Sequence, residues 1–139
     1  MQAVAVGLAV TFDAIQETQD LTNIRSIDFG SRVNVERSAK QYVEIGGHVL
    51  SGHIVGTAPV VEVLHTENNC RVTFEANPTW LKYVFEKGYL AINGASLTVA
   101  ALDRGANTFA VNLIPETLKR TNFSEFSSGS LVNIEIESQ

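Results

Sequence analysis

Apolar and polar residues alternate along several short runs of the chain, and this period of two is typical of β-strands with one buried face. Arg32 to Glu36 and Cys70 to Glu75 show the alternation most clearly. The pattern predicts strands in the segments 10–13, 32–36, 48–64, 70–75, 108–114 and 130–137. Glycines bend the segment 48–64, which therefore forms one or two strands.

Turn and capping residues separate these strands. Asn93-Gly94 is a strong signal for a two-residue turn, so residues 89–102 are predicted to form a hairpin. Asn77 suits an N-cap and Pro78 a first helical position, which predicts a short helix over 78–85. Residues 15–21 form a short helical turn at most. Together these elements predict an all-β fold, a small closed antiparallel barrel of six strands.

The chain also contains an internal repeat. A shift of 99 positions superposes residues 15–36 on 114–135 without a gap, and places Glu17-Thr18 on Glu116-Thr117. Two such units need on the order of 200 residues, whereas the chain has 139. It therefore divides into residues 1–38, the C-terminal remainder of a first barrel, and residues 39–139, a complete second barrel. Three explanations fit: a partial chain, a degenerate relative, or a barrel completed by exchange with another copy.

Charge and composition exclude several classes of protein. The net charge is −5 and the ten lysines and arginines are scattered, so no basic surface for nucleic acid or an anionic membrane is expected. The apolar run from Ala3 to Val10 is too short to span a bilayer and lacks the basic start of a signal peptide. Cys70 is the one cysteine, so no internal disulfide forms and a cytoplasmic location is predicted.

Candidate chemistry begins in the glycine-rich run 46–57, which carries His48 and His53. Their odd separation places them on opposite faces of a regular strand, which argues against a shared metal, and no metal site is predicted. Either histidine could serve as an acid, a base or a donor, or simply be satisfied by a nearby backbone carbonyl. Ser96 and Thr98 share one strand face, opposite Leu97 and Val99. That face is either a ligand contact or an ordinary solvated surface.

Two further segments have both a functional and a structural interpretation. Leu113 to Thr117 joins a strand to a helical turn, whose free N–H groups could meet a ligand or only mark a helix start favoured by Glu116. Lys87 before Gly88 is either a positioned ammonium or a solvated turn lysine.

Taken together, these motifs resemble the riboflavin synthase family over nearly the whole chain and in the family's order. The matching pieces are Val33 to Arg37, Glu44 to His48, Ser51 to Ile54, Lys87-Gly88, Gly94 with Ser96 to Val99, Leu113 to Leu118, and Val132 to Glu135. One difference is Asn93, which stands where the family usually has an aspartate.

The resemblance implies a reaction and an assembly. Two molecules of 6,7-dimethyl-8-ribityllumazine dismutate to riboflavin and 5-amino-6-ribitylaminouracil, with no metal or redox cofactor. Each subunit has two six-stranded Greek-key barrels, each of which binds one lumazine. The active site lies between the first barrel of one subunit and the second barrel of its neighbour in a homotrimer, and lumazine synthase is a further implied partner.

The resemblance also implies roles for particular residues. Proton handling or ring anchoring falls to His53, and polar contacts to the reacting rings fall to Ser96 and Thr98. The implied ligand contacts of the second barrel are Gly52, His53, Ile54, Lys87, Ser96, Leu97, Thr98, Asn112, Leu113, Ile114, Pro115, Glu116 and Thr117. Those of the first barrel are Asp13, Ala14, Ile15, Gln16, Glu17 and Thr18.

Three alternatives to the enzyme fit parts of the sequence less well or equally: a carrier, an inactive fragment and an oligonucleotide-binding barrel. A non-catalytic lumazine or flavin carrier on the same barrel needs the same binding residues as the enzyme, so these residues do not separate the two; an inactive fragment is a further alternative. A barrel that binds oligonucleotides would need a basic groove with aromatic platforms, and the sequence contains neither.

Overall fold

The computed structural model describes residues 2–5, 8–38, 40, 42 and 47–137. Gly46 and the predicted domain boundary at residue 39 lie outside this described part. The strands are β1 (Gln2–Ala5), β2 (Leu8–Thr11), β3 (Ile54–His65), β4 (Cys70–Glu75), β5 (Tyr89–Ile92), β6 (Ala95–Asp103), β7 (Thr108–Leu113) and β8 (Leu131–Glu135). The α-helices are α1 (Gln16–Leu21), α2 (Pro78–Leu81) and α3 (Pro115–Arg120), and 3₁₀ helices form at Asn23–Ser26 and Asn122–Glu125.

Strands β3 to β8 close into a six-stranded antiparallel barrel. Their order around the ring is β3-β4-β7-β6-β5-β8, with β8 bonded to both β3 and β5. The hairpin of β5 and β6 turns at Asn93-Gly94, where both residues have positive φ angles of 46° and 82°. The predicted mostly-β fold with a six-stranded antiparallel ring and short helices is therefore confirmed.

Apolar side chains from all six strands fill the barrel interior. In β4, Cys70, Val72 and Phe74 are buried while the residues between them are not. The ring of Phe74 stacks on that of Phe109, with centroids 5.1 Å apart, and Trp80 meets Phe109 edge-on at 6.2 Å. Burial of each such large side chain contributes about 1.5–3 kcal/mol, so these apolar contacts stabilise the closed barrel.

Helix α2 is shorter than the predicted segment 78–85. Its start is as predicted, because the Asn77 side chain accepts a hydrogen bond from the N–H of Thr79 at 2.9 Å and Pro78 follows the cap. Beyond Leu81 the chain continues in turns. The guanidinium of Arg104 donates to the carbonyl oxygens of Leu81 and Val84 at 2.9 and 2.8 Å. A side chain therefore satisfies carbonyl groups that the N–H groups of further helical turns would otherwise satisfy.

The internal repeat is visible in the structure. Helix α1 and the 3₁₀ helix after it match α3 and its 3₁₀ helix at the same shift of 99 positions. The hydroxyl of Thr22 donates to the carbonyl of Thr18 at 2.6 Å, and that of Thr121 donates to the carbonyl of Thr117 at the same distance. Strands β1 and β2 also keep the pairing register of β6 and β7.

The two copies of the repeat meet through four asparagines, Asn23, Asn34, Asn122 and Asn133, here called the asparagine joint. The N–H of Asn23 donates to Oδ1 of Asn133 at 2.7 Å, and the N–H of Asn122 donates to Oδ1 of Asn34 at 2.8 Å. Since the repeat relates Asn23 to Asn122 and Asn34 to Asn133, the two bonds are one interaction made twice. Nδ2 of Asn34 also donates to the carbonyl of Asn93 at 3.0 Å, so the amino-terminal segment is fastened to the barrel.

The strand predicted for Arg32 to Glu36 is wrong, because these residues are in no strand of the structure. Their repeat counterparts, Leu131–Glu135, form β8 because β3 and β5 bond to it on either side. Residues that would match β3 and β5 under the repeat fall before residue 1. Alternation alone therefore does not make a strand, which also needs neighbouring strands to bond to. Similarly, the strand predicted from residue 48 begins only at Ile54.

Candidate functional site

The hairpin of β5 and β6 presents a polar surface outside the barrel. Tyr89 pairs with Thr98 and Ala91 pairs with Ser96, so these four side chains share one face of the sheet. Leu97 packs against the buried core from the other face. The predicted orientation of Ser96 and Thr98 away from the core is thus confirmed. Tyr89, Ser96 and Thr98 are called the shelf below.

His48 lies on the shelf. Its imidazole stacks on the ring of Tyr89 with centroids 3.8 Å apart and planes 3° from parallel. Its Nδ1 is 2.6 Å from Oγ of Ser96, and the direction of that hydrogen bond depends on the imidazole tautomer. The sequence singled out His48 without giving it a role, because a partner 48 positions away leaves no local signal.

Glu135 holds the other end of the same loop. This carboxylate is 2% exposed and accepts hydrogen bonds from the N–H of Gly52 at 2.6 Å and from the hydroxyl of Ser51 at 3.3 Å. Ala91 pairs with both Glu135 and Ser96, so the three positions form one row across β8, β5 and β6. Residues 48–53, called the strap, are therefore bonded to the barrel at both ends of this row. No pattern in the sequence indicated that Glu135 is buried.

Three other predicted residues lie beside the row. His53 is exposed at the end of the strap, and Ile54 begins β3 opposite Glu135. Lys87 is exposed and has a φ of 64°, a left-handed conformation that is uncommon for a lysine. Its N–H donates to the carbonyl of Val99 at 3.0 Å, so hydrogen bonding to β6 holds this backbone geometry.

The segment Asn112 to Thr117 lies at the end of β7. Strands β6 and β7 are antiparallel with Val99 opposite Val111, so the last residues of β7 run beside the first residues of β6, where Ser96 lies. Asn112 is exposed and Leu113 is buried in the core. In the remainder Ile114, Pro115 and Glu116 are exposed and Thr117 is half-buried. Glu116 forms an ion pair with Arg120.

The predicted first-barrel contacts lie apart from the shelf. Asp13, Ala14 and Thr18 line a cleft of about 480 Å³ together with the asparagine joint, and Gly52, Lys87, Ser96 and Thr98 are not among its lining residues. Ile15, Gln16 and Glu17 are exposed beside it. The apolar lining residues Phe12, Ile24, Ile27, Val33 and Val35 match Val111, Phe123, Phe126, Val132 and Ile134 under the repeat. Four of those counterparts are buried in the barrel core and Phe126 packs against it, so the cleft is lined by residues that match the apolar interior of the barrel.

Metal and thiol chemistry find no support at this site. The described residues contain no group of three or more His, Cys, Asp or Glu side chains placed to hold a metal ion. Burial raises the pKa of the Cys70 thiol, which keeps it protonated and unreactive. Within the same described residues, no helix is long and apolar enough to cross a membrane.

The class of the protein is a closed six-stranded antiparallel β-barrel, with hydroxyls, an aromatic ring and an imidazole together on one outer face. The model of the lumazine-binding domain family matches residues 51–137, and the chain belongs to this family.

Several known proteins are similar to the chain. Riboflavin synthase of Escherichia coli is 46% identical over 134 residues, which cover 96% of this chain and 62% of that protein. Riboflavin synthase of Chlamydia pneumoniae is 43% identical over 128 residues, which cover 92% of this chain and 61% of that protein. The chain thus spans about 62% of the length of the first of these curated relatives. The crystal structure of LumP complexed with 6,7-dimethyl-8-(1'-D-ribityl) lumazine superposes with a TM-score of 0.83 at 23% identity, covering 99% of this chain and 72% of that one.

Proposed function

We propose that the chain carries out the riboflavin synthase reaction, the dismutation of two 6,7-dimethyl-8-ribityllumazine molecules to riboflavin and 5-amino-6-ribitylaminouracil. The observation that carries this proposal is the 46% identity to a riboflavin synthase over 96% of the chain. The lumazine bound in LumP, whose fold matches this chain, supports the same ligand class.

The shelf is the proposed ligand site of the complete barrel. Ser96 and Thr98 contact the polar edge of one lumazine, and His53 handles a proton or anchors the ring. The reaction requires the 7-methyl group of one lumazine to lose a proton, and donors aimed at the delocalised anion lower the barrier. Holding two rings in contact supplies the orientation, which is worth up to about 7–11 kcal/mol in well-aligned systems. The remaining proposed contacts are Gly52, Ile54, Lys87, Leu97 and residues 112–117.

The repeat supports the proposed architecture. Residues 39–139 form a complete Greek-key barrel, and residues 1–38 form the C-terminal part of a first barrel. Residues 13–18 hold the second lumazine there. The matching of the cleft's apolar lining to the barrel core supports this division. The complete active site lies between copies of the protein in a homotrimer, and lumazine synthase is a partner. The buried free thiol of Cys70 is consistent with a cytoplasmic location.

Turnover of lumazine tests the proposal. The purified chain is mixed with 6,7-dimethyl-8-ribityllumazine, and riboflavin is followed by its fluorescence. Ser96→Ala and His53→Ala should lower the rate at least tenfold, because each removes a group aimed at the reacting ring. His65→Ala is a matched control, since His65 is exposed at the far end of β3, where this strand pairs with Cys70 of β4. Equal rates for all variants would contradict the assignment.

A non-catalytic lumazine or flavin carrier is the second candidate. The match to LumP with a TM-score of 0.83 favours it. Riboflavin or lumazine binding with a change in fluorescence, but with no product from lumazine, would select the carrier. Absence of binding by calorimetry would exclude both candidates for this chain.

A further inference from the structure

The turn between β5 and β6 contains a reactive dipeptide, Asn93-Gly94. Attack by the main-chain nitrogen of Gly94 on the carboxamide carbon of Asn93 closes a cyclic imide and expels ammonia. Gly94 has no side chain to obstruct this attack, and a Cβ built there would meet no atom within 4 Å. Gly94 is also exposed, so water can reach the imide and open it.

The observed turn is not in the conformation that reacts. Asn93 and Gly94 have φ angles of 46° and 82°, which identify a type I′ turn. In this turn ψ of the first residue is about 30°, so the Gly94 nitrogen points away from the Asn93 side chain. A flip of the Asn93–Gly94 peptide plane to type II′ brings that ψ to about −120°, where the nitrogen is eclipsed with Cβ and faces the carboxamide. Both turn types connect two-residue hairpins, although type II′ favours glycine first, so the flip gives a minor state with the strands still paired.

The side chain of Asn34 restrains that peptide plane. Its Nδ2 donates to the main-chain carbonyl oxygen of Asn93 at 3.0 Å, and this carbonyl belongs to the plane that must turn. The flip breaks the bond, because it exchanges the positions of the carbonyl oxygen and the Gly94 N–H. The N–H and Oδ1 of Asn93 are bonded instead to the carbonyl and N–H of Asn133, at 3.0 and 2.8 Å. These two bonds lie outside the rotating plane, so they hold the carboxamide in place and need not break.

We propose that Asn93 is a deamidation site and that Asn34 controls its rate by holding the Asn93–Gly94 peptide plane in the unreactive orientation. In the reaction the Gly94 nitrogen loses its proton to a solvent base and forms a bond to Cγ of Asn93. The Cγ–Nδ2 bond breaks, and the amide nitrogen takes up a proton and leaves as ammonia. Water then opens the imide at either carbonyl, which gives aspartate or isoaspartate at position 93.

The two products affect the hairpin differently. Aspartate keeps an oxygen for the N–H of Asn133 and adds one negative charge. Isoaspartate runs the main chain through the side-chain carbon and so lengthens the turn, which is incompatible with the pairing of Ile92 and Ala95 across a two-residue loop. Since Asn34 belongs to the amino-terminal segment, docking of this segment at the asparagine joint protects the hairpin from this damage.

Two substitutions of Asn34 test the mechanism. Asn34→Ala removes both of its side-chain bonds, to the carbonyl of Asn93 and to the N–H of Asn122. Asn34→Asp keeps an acceptor for Asn122, but its carboxylate repels the Asn93 carbonyl and attracts the Gly94 N–H of the flipped plane. Each protein is incubated in mildly alkaline buffer. Conversion at Asn93 is followed by peptide mapping with mass spectrometry, with separate quantification of aspartate and isoaspartate.

The expected order of rates is specific to the peptide flip. Asn34→Ala should convert about 2- to 10-fold faster than wild type, as expected for the loss of one neutral hydrogen bond, and Asn34→Asp should convert faster still. Detachment of the segment alone would give the opposite order, because Asn34→Asp retains the bond to Asn122.

Three controls accompany these variants. Asn23→Ala removes the bond from Nδ2 to the carbonyl of Leu131 at 2.8 Å, which weakens the joint without touching Asn93, and it should convert at the wild-type rate. Asn93→Asp should show no slow change of charge. Wild type unfolded in urea gives the unrestrained rate and should convert faster than the folded protein.

Every outcome supports or overturns the proposal. The order Asn34→Asp, Asn34→Ala, wild type supports both the site and its restraint. No conversion at Asn93 in any folded protein would show that it is not a site in the native state. Equal rates in wild type and both Asn34 variants would remove the role of Asn34. Faster conversion in Asn34→Ala than in Asn34→Asp, or an equal increase in Asn23→Ala, would assign control to detachment of the segment and overturn the direct restraint.

Discussion

The bond between Glu135 and the strap leads to a quantitative prediction. Glu135→Leu removes the acceptor of the Gly52 N–H, whose distance of 2.6 Å to the carboxylate is that of a charge-assisted bond. Such a bond contributes about 1.5–3 kcal/mol, and 1.4 kcal/mol is a factor of ten. Opening of the strap should therefore become about 10- to 150-fold more frequent. Glu135→Gln keeps an acceptor and should show a smaller change, below about tenfold.

A second effect acts in the opposite direction. Glu135 is 2% exposed, and burying a carboxylate costs several kcal/mol that a leucine does not incur. The global free energy of unfolding of Glu135→Leu should therefore fall little or even rise, although the strap opens more often. Local and global stability should thus respond differently to one substitution.

Amide hydrogen exchange measures both quantities in one experiment. The Gly52 amide should lose protection in Glu135→Leu by the factor given above. The Val99 amide is the internal reference, because it is bonded to the carbonyl of Gly88 within the barrel at 2.9 Å. Unchanged protection of Gly52 would refute the reasoning. Loss of protection at both amides would show that the barrel, not the strap, had been weakened.

The remaining predictions concern the asparagine joint, the β5–β6 turn and the buried thiol. Asn34→Ala removes two hydrogen bonds to the barrel and should destabilise the docked amino-terminal segment by about 1–3 kcal/mol, seen as faster proteolysis of residues 12–36; equal cleavage would count against the joint. Asn93→Asp should fold normally, because its Oδ1 still accepts from the N–H of Asn133, whereas Asn93→Ala should lower the melting temperature by several degrees; equal melting temperatures would contradict this. Burial raises the pKa of the Cys70 thiol above 9.0, so the unfolded state loses its proton first and stability should fall as the pH rises above 9.0. Cys70→Ala should weaken that decline in chemical denaturation, and an identical decline would be inconsistent with it.

Much of the barrel could be predicted from the sequence because its strands carry their own signals. Cys70–Glu75 alternates cleanly, and the structure gives strand β4 the same bounds. Asn77 and Asn93-Gly94 act through local backbone geometry, so the cap and the turn form where they were predicted. Arg32 to Glu36 alternates equally well but forms no strand, since pairing depends on neighbouring strands that the local pattern does not contain.

The contacts of the shelf could be predicted only in part from the sequence. The period of two correctly placed Ser96 and Thr98 on the outer face, because that follows from strand geometry alone. The contacts of His48 and Glu135 join positions 48 and 83 residues apart. These contacts depend on how the strap crosses β8, β5 and β6. No periodic pattern in the sequence indicates that path. Roles carried over from a family to His53 and residues 112–117 remain predictions.

The asparagine joint has a consequence for the conditions under which the two copies of the repeat stay together. Its reciprocal bonds use only amide and main-chain groups, none of which gains or loses a proton in the physiological range. The nearby contact between Arg32 and Glu125 is an exposed ion pair at 3.1 Å, which salt or acid weakens. Because such an exposed pair contributes at most about 1 kcal/mol, attachment of the amino-terminal segment should depend only weakly on ionic strength and acidity, leaving temperature and denaturant as the means of detaching it.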